Sequence, residues 1–348
     1  MFSYKTEAKK KQQKTILFFS LAIFSLILIF FACLFTGQQK FSFQQILKAF
    51  YDKNSFEHTI IFSIRLPRLF LNIFAGALLA GSGAVFQNFF QNPLAESGIL
   101  GLSASATFGA VVSKFILTSL GFSSAFIFSS LNISAFFSAL IAGFLLCTVS
   151  AFSKSKTAII LLFGIALGNF CSAFSSVIIL SKSKDFSGIY SWILGSFSGR
   201  GWKELKFILI PGISSVIMMI FLSSPLDLMI TGEKSAKTLG LNVQIFKILI
   251  LFSVSMSTSC AVCAGGTINF VGIIAPHLLR IFSKKLSFSA KFLVPASMIS
   301  GAILVILADT IARTIFSPQE IPAGIIMSFL GAPFFVSLIL KKEISNRK

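Results

Sequence analysis

The chain has 348 residues, 55% of them hydrophobic and 12% charged, with a formal net charge of +19. That charged share is about half the soluble average of roughly 25%, and the charge-free runs are too many and too long for a soluble domain of this size. The basic balance reads as lysines flanking membrane spans and meeting anionic headgroups, which sets aside a nucleic-acid footprint.

Residues 1–14 carry Lys5, Lys9, Lys10, Lys11 and Lys14, and the run 15–36 that follows is free of charge. It is long enough to span and lacks a small-residue cleavage site, so it reads as an uncleaved first helix with a cytoplasmic N-terminus. In the polar, aromatic stretch 37–64, Phe41, Ile46 and Phe50 fall on one face of a short interfacial helix. The second span opens at RLPR, 65–68, with proline near the helix start where its missing N–H costs little. Gly76, Ala80 and Ala84 then recur at i, i+4, i+8, a small-residue face that lets another helix approach closely.

The stretch QNFFQNPLAESGILG, 87–101, breaks the apolar pattern, and Asn92-Pro93 is a turn signal. Glu96 is cheapest in a water-facing loop or at a helix N-terminus. Further spans follow at 97–118, 132–150 and 157–180, with Lys154 and Lys156 marking a cytoplasmic turn, and a sixth at 206–223 after a segment holding Trp192 and Trp202. The passage 224–244 is one of the few clearly polar ones, and it predicts a short helix ending at Gly240, a residue suited to a left-handed C′ position. Glu233 suits that helix's start, and Lys234 and Lys237 its end. A helix this short is marginal alone in water and needs a packing partner. A seventh span at 245–263, a glycine-broken segment at 264–280, and spans at 292–310 and 321–340 complete the chain.

The predicted fold is therefore an all-α polytopic membrane protein of about ten transmembrane helices in two inverted five-helix halves. Its layout is a basic tail (1–14), spans one to six (15–223), a cytoplasmic loop (224–244), spans seven to ten (245–340) and a basic tail (341–348). Eighteen of the thirty lysines and arginines fall on the proposed cytoplasmic side, which carries both termini. The inverted symmetry is read from ALLAGSGAVF before Gly98-Ile99-Leu100-Gly101 and SMSTSCAVCAGG before Gly272-Ile273-Ile274.

The chain carries no GxxxxGK[ST] phosphate-binding loop, and Gly232-Glu233-Lys234-Ser235 has only the tail of one. No nucleophile–base set and no paired carboxylates stand out, so the chain is expected not to be an enzyme. Cys260 and Cys263 have CxxC spacing but no second ligand pair, and they read as small residues in a membrane helix, with no metal site. Asp309 and Arg313 stand at i, i+4, either as a local ion pair or with Arg313 presenting charge outward. Carboxylates in the middle of several spans, which a proton-coupled carrier would want, are not found.

Taken in order, RLPR (65–68), GALLAGSGAVFQNFFQNPLAESGILGLS (76–103), GIALG (164–168), WILGS (192–196), GEKSAKTLGLNV (232–243), NFVGIIAPHLLR (269–280), LADTIART (307–314), EIPAG (320–324) and LGAPFF (330–335) resemble the FecCD family of ABC-importer permeases. The resemblance implies a ten-span permease of the bacterial cytoplasmic membrane, paired with a second permease subunit, either the same chain or a paralogue. It also implies partner ABC ATPase subunits that hold the ATP and magnesium, an extracytoplasmic substrate-binding protein, and no cofactor in this chain. Residues Gly232, Glu233, Lys234, Ala236, Leu239, Gly240 and Leu241 match the region that docks on the ATPase. Arg65, Arg68 and Arg313 match arginines that face the binding protein, and Asn92, Pro93, Leu94 and Thr157 match the cytoplasmic gate, where Lys154 and Lys156 depart from the pattern. The implied cargo is a ferric siderophore, with haem or cobalamin as the other family cargoes. An ion-coupled secondary transporter is the alternative, and a structural or assembly membrane protein a further one.

Overall fold

The computed structural model describes residues 2–37, 39, 41–152, 157–181, 189–230, 232–283 and 289–346. Lys154 and Lys156 lie outside the described residues, as does the side chain of Thr157. Among the described residues there is no strand. The helices are α1 (Phe2–Phe35), α2 (Phe43–Tyr51), α3 (Phe56–His58), a π-helical turn (Thr59–Arg65), α4 (Leu66–Phe89), α5 (Leu102–Ser119), α6 (Ser124–Phe152), α7 (Thr157–Ser181), α8 (Ile189–Ile193), α9 (Trp202–Met229), α10 (Glu233–Thr238), α11 (Val243–Gly265), α12 (Val271–Phe282), α13 (Ala290–Thr314) and α14 (Ala323–Asn346). Among the described residues, eight helical segments are long and apolar enough to cross a membrane, and α12 and the first part of α14 are shorter apolar helices, which together match the expected ten.

The centre of the bundle is α4, α11 and α13. In the most apolar windows of the α4 run and of α11, 78% of residues are buried, against 6% in α1, which lies at the periphery. Close approach of α4 explains this. A Cβ on Gly301 of α13 would stand 2.4 Å from the Gly76 carbonyl oxygen and 2.3 Å from the Ala80 Cβ, and a Cβ on Gly83 would stand 2.2 Å from the Gly272 carbonyl oxygen of α12. Ala84, also buried, lies on the same helix. The stripe of small residues thus serves two helix contacts, where backbones approach too closely for larger side chains.

Several element boundaries differ from the sequence reading, and for three of them the structure gives the cause. α6 begins at Ser124, eight residues before the expected start, and Asn132 lies within it: its Oδ1 accepts the Trp192 Nε1–H at 3.0 Å, so a polar residue is satisfied inside the helix. α5 begins only at Leu102, because 96–101 are used in turns in which Glu96 and Gly98 carbonyls accept the Ile99 and Gly101 N–H groups. α9 continues through Pro225 to Met229, past the expected end at 223, because Leu226 and Met229 are buried and Asp227 is tied to the next unit. In α2, whose start is fixed by a Ser42–Gln45 capping box, Ile46 and Ala49 form the buried face, while Phe50 is mostly exposed and meets Phe62 at the rim.

Candidate functional site

Functional side chains collect at the two ends of α4 and at the broken segments between them. At the Leu66 end, Arg65, Arg68 and Arg313 line one cavity of about 220 Å³ with Gly37, Gln39 and Glu320. All three arginines are buried. Arg68 forks onto Asp309, with Nη2 at 2.8 Å from Oδ1 and Nε at 3.0 Å from Oδ2, and its Nη1 reaches Glu320 at 2.9 Å. Asn72 Nδ2 donates to the same carboxylate at 2.8 Å. Such a bidentate pair is strong and directional. Asp309 therefore belongs chiefly to Arg68; the i, i+4 partner Arg313 stands 3.5 Å away. Arg65 donates to the carbonyls of Leu34, Phe35 and Gln39 and lies over the Phe41 ring, with no carboxylate partner among the described residues. Three guanidiniums against two carboxylates leave the cavity with one positive charge in excess.

Midway, two interruptions of the helix pattern meet. α11 stops at Gly265, and its last carbonyls accept from buried Arg200, at 2.6 Å for Cys263. A cation suits a helix C-terminus. Burial nonetheless lowers the Arg200 pKa to about 10. Residues 266–270 cross to α12, the Thr267 hydroxyl donating to the Ile193 carbonyl and Phe270 taking a left-handed backbone, φ 68°. The other interruption, 90–101, brings Glu96 against the start of α12, where its carboxylate accepts the Phe270 N–H. That is the helix N-terminus the sequence reading allowed for it. Gln87 donates to the Gly272 carbonyl at 2.8 Å and accepts from Arg280, binding α4 to α12 on the same side. A cavity of about 510 Å³ opens beside the crossing, lined mainly by apolar groups with Thr267, Asn269 and Ser328 as its polar ones. Asn92, Pro93 and Leu94 form the turn after α4: the Asn92 Oδ1 accepts the Leu94 N–H at 3.1 Å.

At the Phe89 end lies α10. Its C-terminus is a Schellman motif, with the Leu241 N–H on the Ala236 carbonyl at 3.1 Å and the Gly240 N–H on that of Lys237 at 3.0 Å. Gly240, at φ 88°, takes the left-handed C′ position. Ala236 is the buried plug of this helix, while Lys234, Lys237, Leu239 and Gly240 are exposed, Leu239 at 64%. Glu233 pairs with Lys247 of α11 at 2.6 Å. Sequence reasoning missed Lys247, Arg200, Asp227, Gln87 and Arg280. The available signal was charge within or beside apolar runs, as in VQIFKILILF, but the partners stand 14 to 193 residues away.

The FecCD transport family model matches residues 25–341. The Fe(3+)-citrate import system permease protein YfmE of Bacillus subtilis is 36% identical over 288 residues, covering 82% of this chain and 83% of that protein. The vitamin B12 import system permease protein BtuC of Klebsiella pneumoniae is 35% identical over 284 residues, covering 81% and 83%. A solved structure described as "an inward-facing conformation of a putative metal-chelate type ABC transporter" superposes with a TM-score of 0.78 at 30% identity, covering 93% of this chain and 99% of that one. With the family model spanning nearly all of an all-helical, multi-pass chain, the protein belongs to the FecCD transport family.

Proposed function

We propose that this chain is the permease subunit of a binding-protein-dependent ABC importer that carries a ferric siderophore into the cytoplasm. The observation that carries the reading is the separation of two unlike surfaces along one central helix. A cavity with surplus positive charge stands at one end of α4, and the exposed face of α10 at the other, about 36 Å away by helix length. The first suits acidic side chains of an extracytoplasmic binding protein; the second, apolar at Leu239 and basic at Lys234 and Lys237, suits a cytoplasmic ATPase. Both termini are then cytoplasmic. A second permease subunit completes the pathway, and ATP-driven rocking of the spans alternates access to it, with the Asn92–Leu94 turn and the start of α7 at Thr157 at the inner gate. ATP and magnesium belong to the ATPase subunits.

A ferric chelate is the preferred cargo because a ferric-citrate permease and a metal-chelate transporter are both among the similar proteins, although the B12 permease is as similar as the citrate one. Uptake into proteoliposomes tests this: chain and co-purifying ATPase in the membrane, ATP inside, binding protein outside, and labelled ferric siderophores, haem and cobalamin offered in turn. Accumulation of a ferric siderophore only with ATP is the expected result. Accumulation of haem or cobalamin instead would overturn the cargo, and accumulation driven by an ion gradient without ATP would overturn the importer.

A further inference from the structure

We propose that the Glu233–Lys247 ion pair is a strut that makes α10 move as one body with α11, so that motion arriving at α10 enters the membrane through α11. The proposal rests on the reading of α10 as the ATPase contact, and its test separates the two.

The geometry of the two ends of α10 carries it. At the C-terminal end the connection to α11 is short and closed by hydrogen bonds. The Schellman turn closes α10 at Gly240 and Leu241, and Asn242 Oδ1 at once caps α11 by accepting the Ile245 N–H at 3.2 Å. One such joint still lets a six-residue helix pivot. Lys247, buried in the second turn of α11, reaches back to Glu233 at the first position of α10, Nζ to Oε1 2.6 Å, and fixes the other end. Held at both ends, α10 can no longer swing away from α11 about its C-terminal joint.

The link toward α9 is of another kind. Gly232 has φ 102°, a Cβ there would meet nothing within 4 Å, and its N–H donates to the Met229 carbonyl of α9 at 3.1 Å with no ion pair across this joint among the described residues. The end of α9 is instead engaged with α13. Asp227 accepts the Ser289 hydroxyl at 2.7 Å and the Ala290 N–H at 2.6 Å, capping that helix. α9 thus packs on α13 as well as on α11, while the only ion pair that holds α10 among the described residues runs to α11. α11 in turn leads to the centre: Ser257 donates to the Leu78 carbonyl of α4 at 2.9 Å, and the helix ends beside the crossing at 266–270. A buried lysine also needs a carboxylate simply to be buried, so loss of stability alone does not establish a strut.

The test uses the whole importer in proteoliposomes, measuring ATPase retained on purification, ATP hydrolysed, and labelled ferric citrate, ferric hydroxamate or cobalamin accumulated, whichever the wild type carries. Lys247→Met is expected to keep the ATPase bound and hydrolysing while cargo moved per ATP falls about fivefold. Lys247→Arg should keep the wild-type ratio, and the reversed pair Glu233→Lys with Lys247→Glu should recover most of the loss. If Lys247→Met does not accumulate in the membrane, Glu233→Gln, whose side chain is partly exposed, carries the same measurement. A wild-type cargo-to-ATP ratio in the neutralised variant overturns the strut. Leu239→Asp is the control for the underlying reading. If it strips the ATPase while the neutralised strut transports normally, only the strut fails; if it leaves docking and transport unchanged, the assignment of α10 fails with it.

Discussion

Asp309 is buried to 1% exposure and is satisfied by Arg68 and Asn72, so the weight of the arginine cluster falls on one pair. Removing one partner of a buried pair strands the other charge. Arg68→Met should therefore cost about 3–5 kcal/mol, read as a lower thermal midpoint in detergent, and Arg68→Lys should recover only part because it loses the fork. An unchanged midpoint would refute the assignment of this pair as structural. Glu96 makes a different prediction. Burial pushes its carboxyl from 4.5 up to about 7, with the Phe270 N–H opposing the rise. A carboxyl whose folded pKa lies above its unfolded one binds more protons in the fold. Its contribution is fully present below the unfolded value of 4.5 and is lost as pH rises through about 7. The thermal midpoint should fall between about pH 5 and pH 8, and Glu96→Gln should flatten that slope; an equal slope in both proteins would exclude Glu96 as its source.

At the scale of elements, the α4 contacts are set by backbone proximity. A methyl added at Gly301 meets the Gly76 carbonyl and Ala80 within 2.4 Å, and neither can step aside without moving its helix. Gly301→Ala should cost about 1–3 kcal/mol, with a matching drop in thermal midpoint. An unchanged midpoint would mean that packing at Gly301 is looser than it stands. The small-residue spacing at Gly76, Ala80 and Ala84 and the glycine end of α10 were legible in sequence, because each depends on residues within a turn or two. The apolar runs were legible for the same reason. The start of α6 and the end of α9 were not, since polar residues near them find partners remote in sequence, Trp192 for Asn132 and the α13 N-terminus for Asp227, and the late start of α5 follows from local turns over 96–101 that carry no helix-stop signal. The arginines were marked as a group, but their internal division was hidden. Arg68 is committed to Asp309 and Glu320, which lie 241 and 252 residues away.

At the scale of the whole molecule, that division decides how docking must be tested. Reversing Arg68 would break the fold locally, and any loss of binding would then be ambiguous. Arg65 has no carboxylate partner among the described residues and Arg313 only a long one, so these two hold the charge available to a visitor. Both line the same small cavity, wide enough for a carboxylate side chain rather than for a large cargo. On the proposed docking, attraction between an acidic side chain of a binding protein and this cavity would act over about 10 Å at 0.1 M salt and fade at higher ionic strength. Arg65→Gln with Arg313→Gln should therefore weaken docking of the binding protein to the reconstituted permease most at low salt, and it should reduce the salt dependence of the association rate. The thermal midpoint serves as the control, because the Arg68–Asp309–Asn72 set remains in place. If the double variant keeps wild-type affinity at low salt with an unchanged midpoint, the cavity is a structural feature of the α4–α13 contact and the binding protein docks elsewhere.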